Sequence, residues 1–167
     1  TLTVNPTVTT NYTVTVSIGG CAPSTATATV TVNPIPSVTV GNVPAICNGT
    51  PTTLTATPSP NAGGTYVWSN GLSGATINVT PALTNPTLAQ NFNYAVVYTL
   101  NGCPSIADTV TVAVNPVPTV SLPTTTTICN GSGDTLLATV NLPGGTYAWS
   151  NGATTPQIIV NPTTNTN

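Results

Sequence analysis

The sequence predicts an all-β protein built from two-sheet sandwiches of about 80 residues each, and its composition carries this prediction. Thr and Val are the two most frequent residue types of the chain, and both favour strands. The helix formers Lys, Arg, Glu and Met are absent. Seventeen Pro and fourteen Gly divide the chain at short intervals, which is typical of many short strands joined by turns.

A tandem repeat organises the chain. Cys21 recurs as Cys103, two further segments recur at the same offset, and a segment containing tryptophan recurs at an offset one position shorter. Four concordant offsets do not arise by chance, and a unit this long matches one small β-domain rather than a solenoid turn. The repeated segments are Asn-Pro-x-Pro at 33–36 and 115–118, Cys-Asn-Gly-(Thr/Ser) at 47–50 and 129–132, and Gly-Gly-Thr-Tyr-x-Trp-Ser-Asn-Gly at 63–71 and 144–152.

The repeat divides the chain into three portions. Residues 37–118 form a complete copy, residues 1–36 the C-terminal part of one, and residues 119–167 the N-terminal part of another. In the last strand-like run of the complete copy Val alternates with Thr, as expected of a strand with one buried face. Its six strand-like runs, which predict a two-sheet sandwich, are Ser37–Val40, 52–57, 65–69, 76–80, 94–100 and Asp108–Asn115.

The near absence of charge excludes most chemistry. The chain has no Lys, Arg or His, and its only carboxylates are Asp108 and Asp134. It therefore lacks a general base near neutral pH, a Schiff-base amine and a phosphate clamp, and it lacks the basic footprint of a nucleic-acid binder. Two Asp cannot build a calcium cage, and no apolar run approaches the ~20 residues of a membrane helix. We expect no enzyme, no cofactor, no metal, no nucleic-acid partner and no membrane insertion within this segment.

Trp68 and its counterpart Trp149 have two interpretations. Each lies in the repeated Thr-Tyr-x-Trp-Ser-Asn-Gly segment, ahead of an Asn-Gly turn. A tryptophan on a central strand usually fills the core of a sandwich, whereas an exposed one would be a stacking platform for sugar. We assign both to the core.

The cysteines predict disulfides. The complete copy contains two, Cys47 before its second strand and Cys103 at the turn before its last strand. Pairing them would close a loop worth about 4 kcal/mol, and small sandwiches need such support. Zinc is the alternative, but four Cys without a CxxC pair or His fit a metal poorly. The prediction is a Cys47–Cys103 bond, which places the chain in an oxidising compartment.

The repeated segments, in the order Cys-Asn-Gly, Gly-Gly-Thr-Tyr-x-Trp-Ser-Asn-Gly and Asn-Pro-x-Pro, resemble the immunoglobulin-like, PKD-like repeats of very long secreted surface proteins of Bacteroidota, including gliding-type adhesins. The resemblance covers essentially the whole chain. It implies tandem immunoglobulin-like sandwiches in an extracellular array at the cell surface, exported and anchored by domains outside this segment. Thr1 falls within a strand-like pattern, which favours a segment of something longer.

Both acidic residues stand in an Asp-Thr-aliphatic triplet, Asp108-Thr109-Val110 and Asp134-Thr135-Leu136. The triplet is similar to the acceptor signal of the Bacteroidota O-glycosylation system; the alternative is an acidic residue at a strand start. Because the surface is almost uncharged, covalent glycans would supply hydration. We expect O-linked sugar on Thr109 and Thr135.

The two partial portions predict head-to-tail assembly. The portion 119–167 has the early strands of a sandwich and 1–36 the late ones, so each alone leaves an apolar face and strand edges uncovered. We expect the ends of one copy to complete the sandwich with those of the next, with Cys129 paired to Cys21 of the adjacent copy. The next copy is either the continuing polypeptide or a neighbouring subunit, and a non-closing head-to-tail contact gives a filament. The segments 158–162 and 2–6 match the same strand of the complete repeat, so only one of them can occupy that strand position in a completed sandwich.

The function expected from these observations is a non-catalytic structural module of an extracellular bacterial surface adhesin or filament. The alternative is a carbohydrate-binding accessory module of a secreted multidomain enzyme. An exposed Trp68 would favour the second and a buried Trp68 the first.

Overall fold

A computed structural model describes residues 1–123 and 125–164. Within that part of the chain every regular element is a strand, and no helix is present. The fourteen strands are β1 (Thr10–Val16), β2 (Ser24–Val30), β3 (Ser37–Val40), β4 (Ile46–Cys47), β5 (Thr52–Ser59), β6 (Thr65–Trp68), β7 (Thr76–Val79), β8 (Gln90–Leu100), β9 (Cys103–Pro104), β10 (Asp108–Asn115), β11 (Val120–Ser121), β12 (Asp134–Leu137), β13 (Thr139–Val140) and β14 (Gln157–Val160).

The complete repeat forms two sheets. One has the order β3-β5-β7, and the other has the order β4-β10-β8-β6 with β9 added to β8. The pairs β3·β5, β5·β7 and β6·β8 are antiparallel, and β4 runs parallel to β10. The core-facing residues come from alternate positions of these strands: Val38, Leu54, Ala56, Trp68, Ile77, Val79, Val96, Tyr98, Leu100, Val110, Val112 and Val114.

All six predicted strands of this repeat are confirmed, with differences at their ends. The alternation read in the last one is correct, because Val110, Val112 and Val114 are buried while Thr109 and Thr111 are exposed. The run 94–100 is part of a longer strand, β8, which has eleven residues. The two-residue strands β4 and β9 were not predicted, because two residues carry no readable periodicity.

The portion 1–36 contains one antiparallel hairpin, β1·β2. Its strands pair over their whole length, from Thr10 opposite Val30 to Val16 opposite Ser24. Most of its side chains are exposed on both faces. The hairpin is therefore held by ladder hydrogen bonds and cross-strand contacts rather than by a core of its own.

The portion 119–164 forms two small antiparallel pairs, β11·β13 and β12·β14. They correspond by the repeat offset to β3·β5 and β5·β7 of the complete copy. The segment of Trp149, which corresponds to β6, is not a strand. In this portion, therefore, the strands of one sheet form, whereas the second sheet is not assembled.

Candidate functional site

The tryptophan segment folds into the same turn in both copies. The N–H of Trp68 donates to the carbonyl of Leu72 and the N–H of Gly71 donates to the carbonyl of Trp68, each at 2.9 Å. Trp149 makes the equivalent bonds with Ala153 and Gly152, also at 2.9 Å. The glycine of each Asn-Gly turn has a positive φ, 83° and 84°, which a glycine adopts without strain. The turn is thus encoded locally.

Trp68 is a core residue, as predicted. Its side chain is 1% exposed, and its indole N–H donates to the carbonyl of Gly74 at 2.9 Å. In the β6·β8 ladder Trp68 lies opposite Val96, and Tyr66 lies opposite Tyr98. A ring that is buried and has its only donor satisfied offers no face on which a sugar could stack.

Trp149 makes the same indole hydrogen bond as Trp68, but its side chain is less buried. Its indole N–H donates to the carbonyl of Thr155 at 2.8 Å, yet its side chain is only half-buried. Its assignment to the core is therefore only partly realised in this portion of the chain. The reason is topological, because the sheet that contains Trp68 is completed by β8, which pairs with β6, and by β10, which lies beyond β8, and residues 119–123 and 125–164 contain no counterpart of either.

An apolar groove runs along this portion, which we call the open face. Val120 shows what is uncovered, since it is 67% exposed while its counterpart Val38 in the complete repeat is 6% exposed. The groove lies between the first strands of the portion and the tryptophan segment. Its apolar lining includes Val120, Leu122, Val140, Leu142, Tyr147 and Trp149.

The hairpin of residues 1–36 carries the two strands that the open face lacks. By the repeat offset, β1 corresponds to β8 and β2 to β10. The hydroxyl of Thr29 donates to Asn11 Oδ1 at 2.8 Å, and the equivalent bond between Thr111 and Asn93 measures 2.7 Å. The hairpin thus has the same register as the covering strands of the complete repeat. Its Val14 is 60% exposed, whereas the counterpart Val96 is 0% exposed.

The two Asp-Thr triplets share a local geometry. Asp108 Oδ1 accepts the N–H of Thr109 at 2.9 Å, and Asp134 Oδ1 accepts the N–H of Thr135 at 2.8 Å. Both threonine side chains are exposed. Asp108 also has a structural role that the sequence did not reveal, since its Oδ2 accepts the N–H of Val40 at 2.8 Å and so ties β3 to the start of β10.

All four cysteines are free thiols in the structure, and the Cys47–Cys103 bond stays a prediction. Cys47 pairs with Asn115 in the β4·β10 ladder, where the last strand of the repeat ends. Cys103 lies instead against the segment before the first strand, with its Sγ 3.9 Å from the carbonyl oxygen of Asn33. The sequence placed both at strand-end turns but did not indicate at which end of the repeat each lies.

The pairing of Cys21 with Cys129 concerns an adjacent copy and stays a prediction. Both thiols are exposed. Cys129 opens a turn in which Ser132 N–H donates to its carbonyl at 2.9 Å, matching the Thr50-to-Cys47 bond at 3.0 Å. The predicted division at 36 and 118 and the acceptor role of Thr109 and Thr135 likewise stay predictions.

The described residues, 1–123 and 125–164, contain no group of three or more His, Cys, Asp or Glu arranged to hold a metal ion. Nor does any helix among them have the length and apolarity needed to cross a membrane.

Comparison with known proteins assigns the fold. Residues 35–116 match the model of the family described as Ig-like domain CHU_C associated. None of the curated proteins compared matches the sequence. Together with the two-sheet topology, the family match shows that the chain is an all-β protein with an immunoglobulin-like sandwich.

Among solved structures, the chain is similar to the crystal structure of the N-terminal eight Ig domains of Down Syndrome Cell Adhesion Molecule isoform 1.30.30. The identity is 13%, the TM-score is 0.34, and the alignment covers 90% of this chain and 26% of that chain. This chain therefore spans about a quarter of that one. At this level the likeness carries no argument about function.

Proposed function

We propose that the chain is a non-catalytic structural module of an extracellular bacterial surface adhesin or filament, in which successive copies join head to tail. The observation that carries the proposal is the complementarity between the open face of 119–164 and the hairpin of 1–36. The first lacks the counterparts of β8 and β10, and the second consists of them in the same register.

The repeat offsets specify how the two would meet. In the complete repeat Trp68 lies opposite Val96, and Val67 lies opposite Val97. The equivalent partners are Trp149 with Val14 of the next copy, and Ala148 with its Thr15. The exposed Val14 would then cover the half-buried Trp149. An apolar strand added to an open sheet edge gains both ladder hydrogen bonds and buried apolar area.

The structure also bears on the competition for one strand position. The segments 158–162 and 2–6 both match β7 of the complete repeat, and only one can occupy the equivalent slot. Residues 157–160 form β14 beside β12, whereas residues 1–9 contain no strand. This supports an arrangement in which the neighbouring copy contributes only its hairpin.

A structural role agrees with the other features of the molecule. The family match is to an Ig-like domain, a fold that serves widely in cell-surface proteins, and the resemblance to Bacteroidota surface repeats supports an extracellular location. Burial of Trp68 removes the feature that would have favoured a carbohydrate-binding accessory module. O-linked glycans on the exposed Thr109 and Thr135 would hydrate a surface with almost no charge.

Electron microscopy and light scattering of the full chain test the assembly. We expect filaments whose mass grows with protein concentration. Val14→Asp should abolish them because it would bury a charge against Trp149, whereas the matched variant Thr15→Asp, one residue along and on the opposite face, should retain them. A strictly monomeric chain, or equal effects of the two substitutions, would overturn the head-to-tail proposal.

Intact glycopeptide mass spectrometry of native material tests the glycan proposal separately. We expect sugar on Thr109 and Thr135 and its loss at each site when the preceding Asp is replaced by Asn. Unmodified threonine at both sites in native material would remove this part of the proposal without touching the assembly.

A further inference from the structure

The thiol of Cys103 lies against residues 33–36, the segment that directly precedes the complete repeat. Its Sγ is 3.9 Å from the carbonyl oxygen of Asn33. The same segment is held by a second contact, since Asn33 Nδ2 donates to the carbonyl of Asn101 at 3.3 Å. We call residues 33–36 the incoming segment.

The thiol of Cys47 belongs to the opposite junction. Cys47 pairs with Asn115 in the parallel β4·β10 ladder, and the N–H of Asn48 donates to the carbonyl oxygen of Asn115 at 2.8 Å. Residues 115–118, the outgoing segment, lead to the following repeat.

The incoming and outgoing segments are two copies of one linker motif, one before and one after the complete repeat. Asn33-Pro34-Ile35-Pro36 and Asn115-Pro116-Val117-Pro118 are copies of one motif, separated by the length of one repeat. The structure shows one contact at each copy: the Asn115 carbonyl oxygen accepts the N–H that follows Cys47, and the Asn33 carbonyl oxygen is approached by Cys103. By the repeat offset, a junction between two complete repeats would bring the Cys47-type cysteine of the preceding repeat and the Cys103-type cysteine of the following repeat to the same Asn.

The two distances are measured at two copies of the motif. Asn48 N lies 2.8 Å from the Asn115 carbonyl oxygen, and Cys103 Sγ lies 3.9 Å from the equivalent oxygen of Asn33. A junction between two complete repeats that makes both contacts would bring the two atoms no farther apart than these two distances together. The Cys47-type residue directly precedes that nitrogen in the chain. A disulfide requires the two Cα atoms to be roughly 4.4–6.8 Å apart, so the proposal requires the junction of two complete repeats to bring the two backbones to that separation.

We propose that the cysteines form disulfides across the repeat junctions, joining the Cys47-type thiol of one repeat to the Cys103-type thiol of the next. The inference rests on the proposed head-to-tail array. In two successive copies of this chain it pairs Cys47 with Cys21 of the next copy, and Cys129 with Cys103 of the next copy. It replaces the expectation of bonds within each sandwich, Cys47–Cys103 and Cys129–Cys21.

This assignment explains the different surroundings of the four thiols. Every proposed partner belongs to another copy or to a following repeat, so no pair can close within one chain, and all four are free here. Cys103, which has the incoming segment before it, is partly buried, whereas its counterpart Cys21 is exposed.

Formation of the bond is a two-electron oxidation that requires a partner. We assign this role to a disulfide-bearing oxidoreductase of the export compartment. A Cys47-type thiolate attacks the donor disulfide to give a mixed disulfide, and the Cys103-type thiolate then displaces the donor sulfur. The two repeat thiols lose two protons and two electrons, and the donor disulfide becomes two thiols.

Non-reducing peptide mapping of the full chain, assembled under oxidising conditions, distinguishes the connectivities that four cysteines allow. Thermolysin cuts before aliphatic residues, which occur between every two cysteines of this chain. We expect cross-linked peptides joining Cys47 to Cys21 and Cys103 to Cys129. Peptides joining Cys47 to Cys103, or free thiols in assembled filaments, would overturn the junction proposal while leaving the assembly intact.

Cys21→Ser supplies a matched control. The junction proposal predicts that Cys47 alone becomes reactive to maleimide, changing from unlabelled to fully labelled. Bonds within each sandwich would instead release Cys129. Labelling of Cys129 without Cys47 would therefore contradict the proposal.

If the full chain is monomeric, the proposed assembly is wrong. A second chain then tests the junction disulfide independently of assembly, because it contains both partner cysteines in one polypeptide. It consists of residues 1–118 followed by residues 37–167, so that the complete repeat occurs twice. Serine replaces every cysteine except Cys47 of the first copy and Cys103 of the second. We expect this monomer to lose both reactive thiols on oxidation and regain them on reduction; thiols that stay reactive would overturn the proposal.

Discussion

The complete repeat, residues 37–118, and the partial repeat, residues 119–164, share their local structure but differ in burial. Both make the Trp-Ser-Asn-Gly turn and the same indole hydrogen bond, at 2.9 and 2.8 Å. Yet Trp68 is buried and Trp149 is half-buried. The difference shows that short-range bonds shape each turn, whereas the core depends on β8 and β10, which come late in the repeat.

The comparison also separates two kinds of apolar residue. Val38 and Val120 occupy the same position of the repeat, and only the first is covered. An exposed apolar groove of this kind marks an interaction surface more often than scattered single residues do. Substitutions at matched positions of the two repeats can therefore sharpen or break the comparison.

The largest contrast should come from the two tryptophans. Trp68→Ala should lower the free energy of unfolding by about 3–5 kcal/mol, because it removes a fully buried ring. Trp149→Ala should cost about 1 kcal/mol or less in the unassembled chain, where the ring is only half-covered. Urea unfolding followed by circular dichroism measures both, and equal costs would show that the two environments are alike.

The next contrast concerns two glycines of the same motif. A Cβ added to Gly64 would collide with the carbonyl of Thr99 and with the Tyr98 ring, whereas a Cβ at Gly145 meets nothing within 4 Å. Gly64→Ala should destabilise the chain by about 1–3 kcal/mol. Gly145→Ala should change stability by less than about 0.5 kcal/mol.

Thermal and urea unfolding of the two alanine variants provide the check. In assembled filaments Gly145 should become less tolerant of alanine, because the Ser17 carbonyl of the next copy would lie where the Thr99 carbonyl lies beside Gly64. If Gly145→Ala leaves filament formation unchanged, the hairpin does not occupy that position.

The two aspartates give a smaller contrast. Asp108 accepts hydrogen bonds from Val40 and Thr109, whereas Asp134 accepts one from Thr135. Asp108→Ala should cost about 1.5–3 kcal/mol, since it leaves the Val40 N–H without its charged partner. Asp134→Ala should cost about 0.5–1 kcal/mol. A larger loss of stability for Asp134→Ala than for Asp108→Ala would contradict the role of Asp108 in hydrogen-bonding β3 to the start of β10.

The smallest effect is expected at alkaline pH. Burial, and secondarily Tyr98, raise the pKa of Tyr66 above its ordinary value of 10.0. The neutral phenol is therefore favoured in the folded state, so its contribution to stability is fully present below pH 10 and is lost as pH rises through the raised pKa. Thermal unfolding between pH 9 and 11 in reducing buffer should show a decline that Tyr66→Phe diminishes. If Tyr66→Phe leaves the decline in stability unchanged, the decline comes from other titrating groups.

Much of the fold was predictable because its signals are local and periodic. The alternation of Val110, Val112 and Val114 identified the buried face of β10, and the Asn-Gly turn placed Trp68 at a strand end. The repeat offset aligned the strands of 119–164 with those of 37–118. These features depend on residues within a few positions of each other, or on an offset that can be read directly from the sequence.

The surroundings of the cysteines and the role of Asp108 could not be predicted in the same way. Both depend on which end of which strand lies beside a distant segment, as in the contacts of Cys103 with Asn33 and of Asp108 with Val40. The spacing between Cys47 and Cys103 fits a closed loop, but it carries no information on direction. The structure supplies the missing direction through the parallel pairing of β4 with β10.

Rearranging the order of the portions tests the central claim most directly, namely that the hairpin of 1–36 completes the sandwich begun by 119–167. The test chain runs from residue 37 to 167 and continues into residues 7–36, with Trp68→Phe so that Trp149 is the only tryptophan. We predict that Trp149 fluorescence shifts to shorter wavelength and that acrylamide quenching falls, relative to the unrearranged chain with the same substitution at low concentration. Unchanged emission and quenching in a rearranged chain that is otherwise folded would contradict the claim.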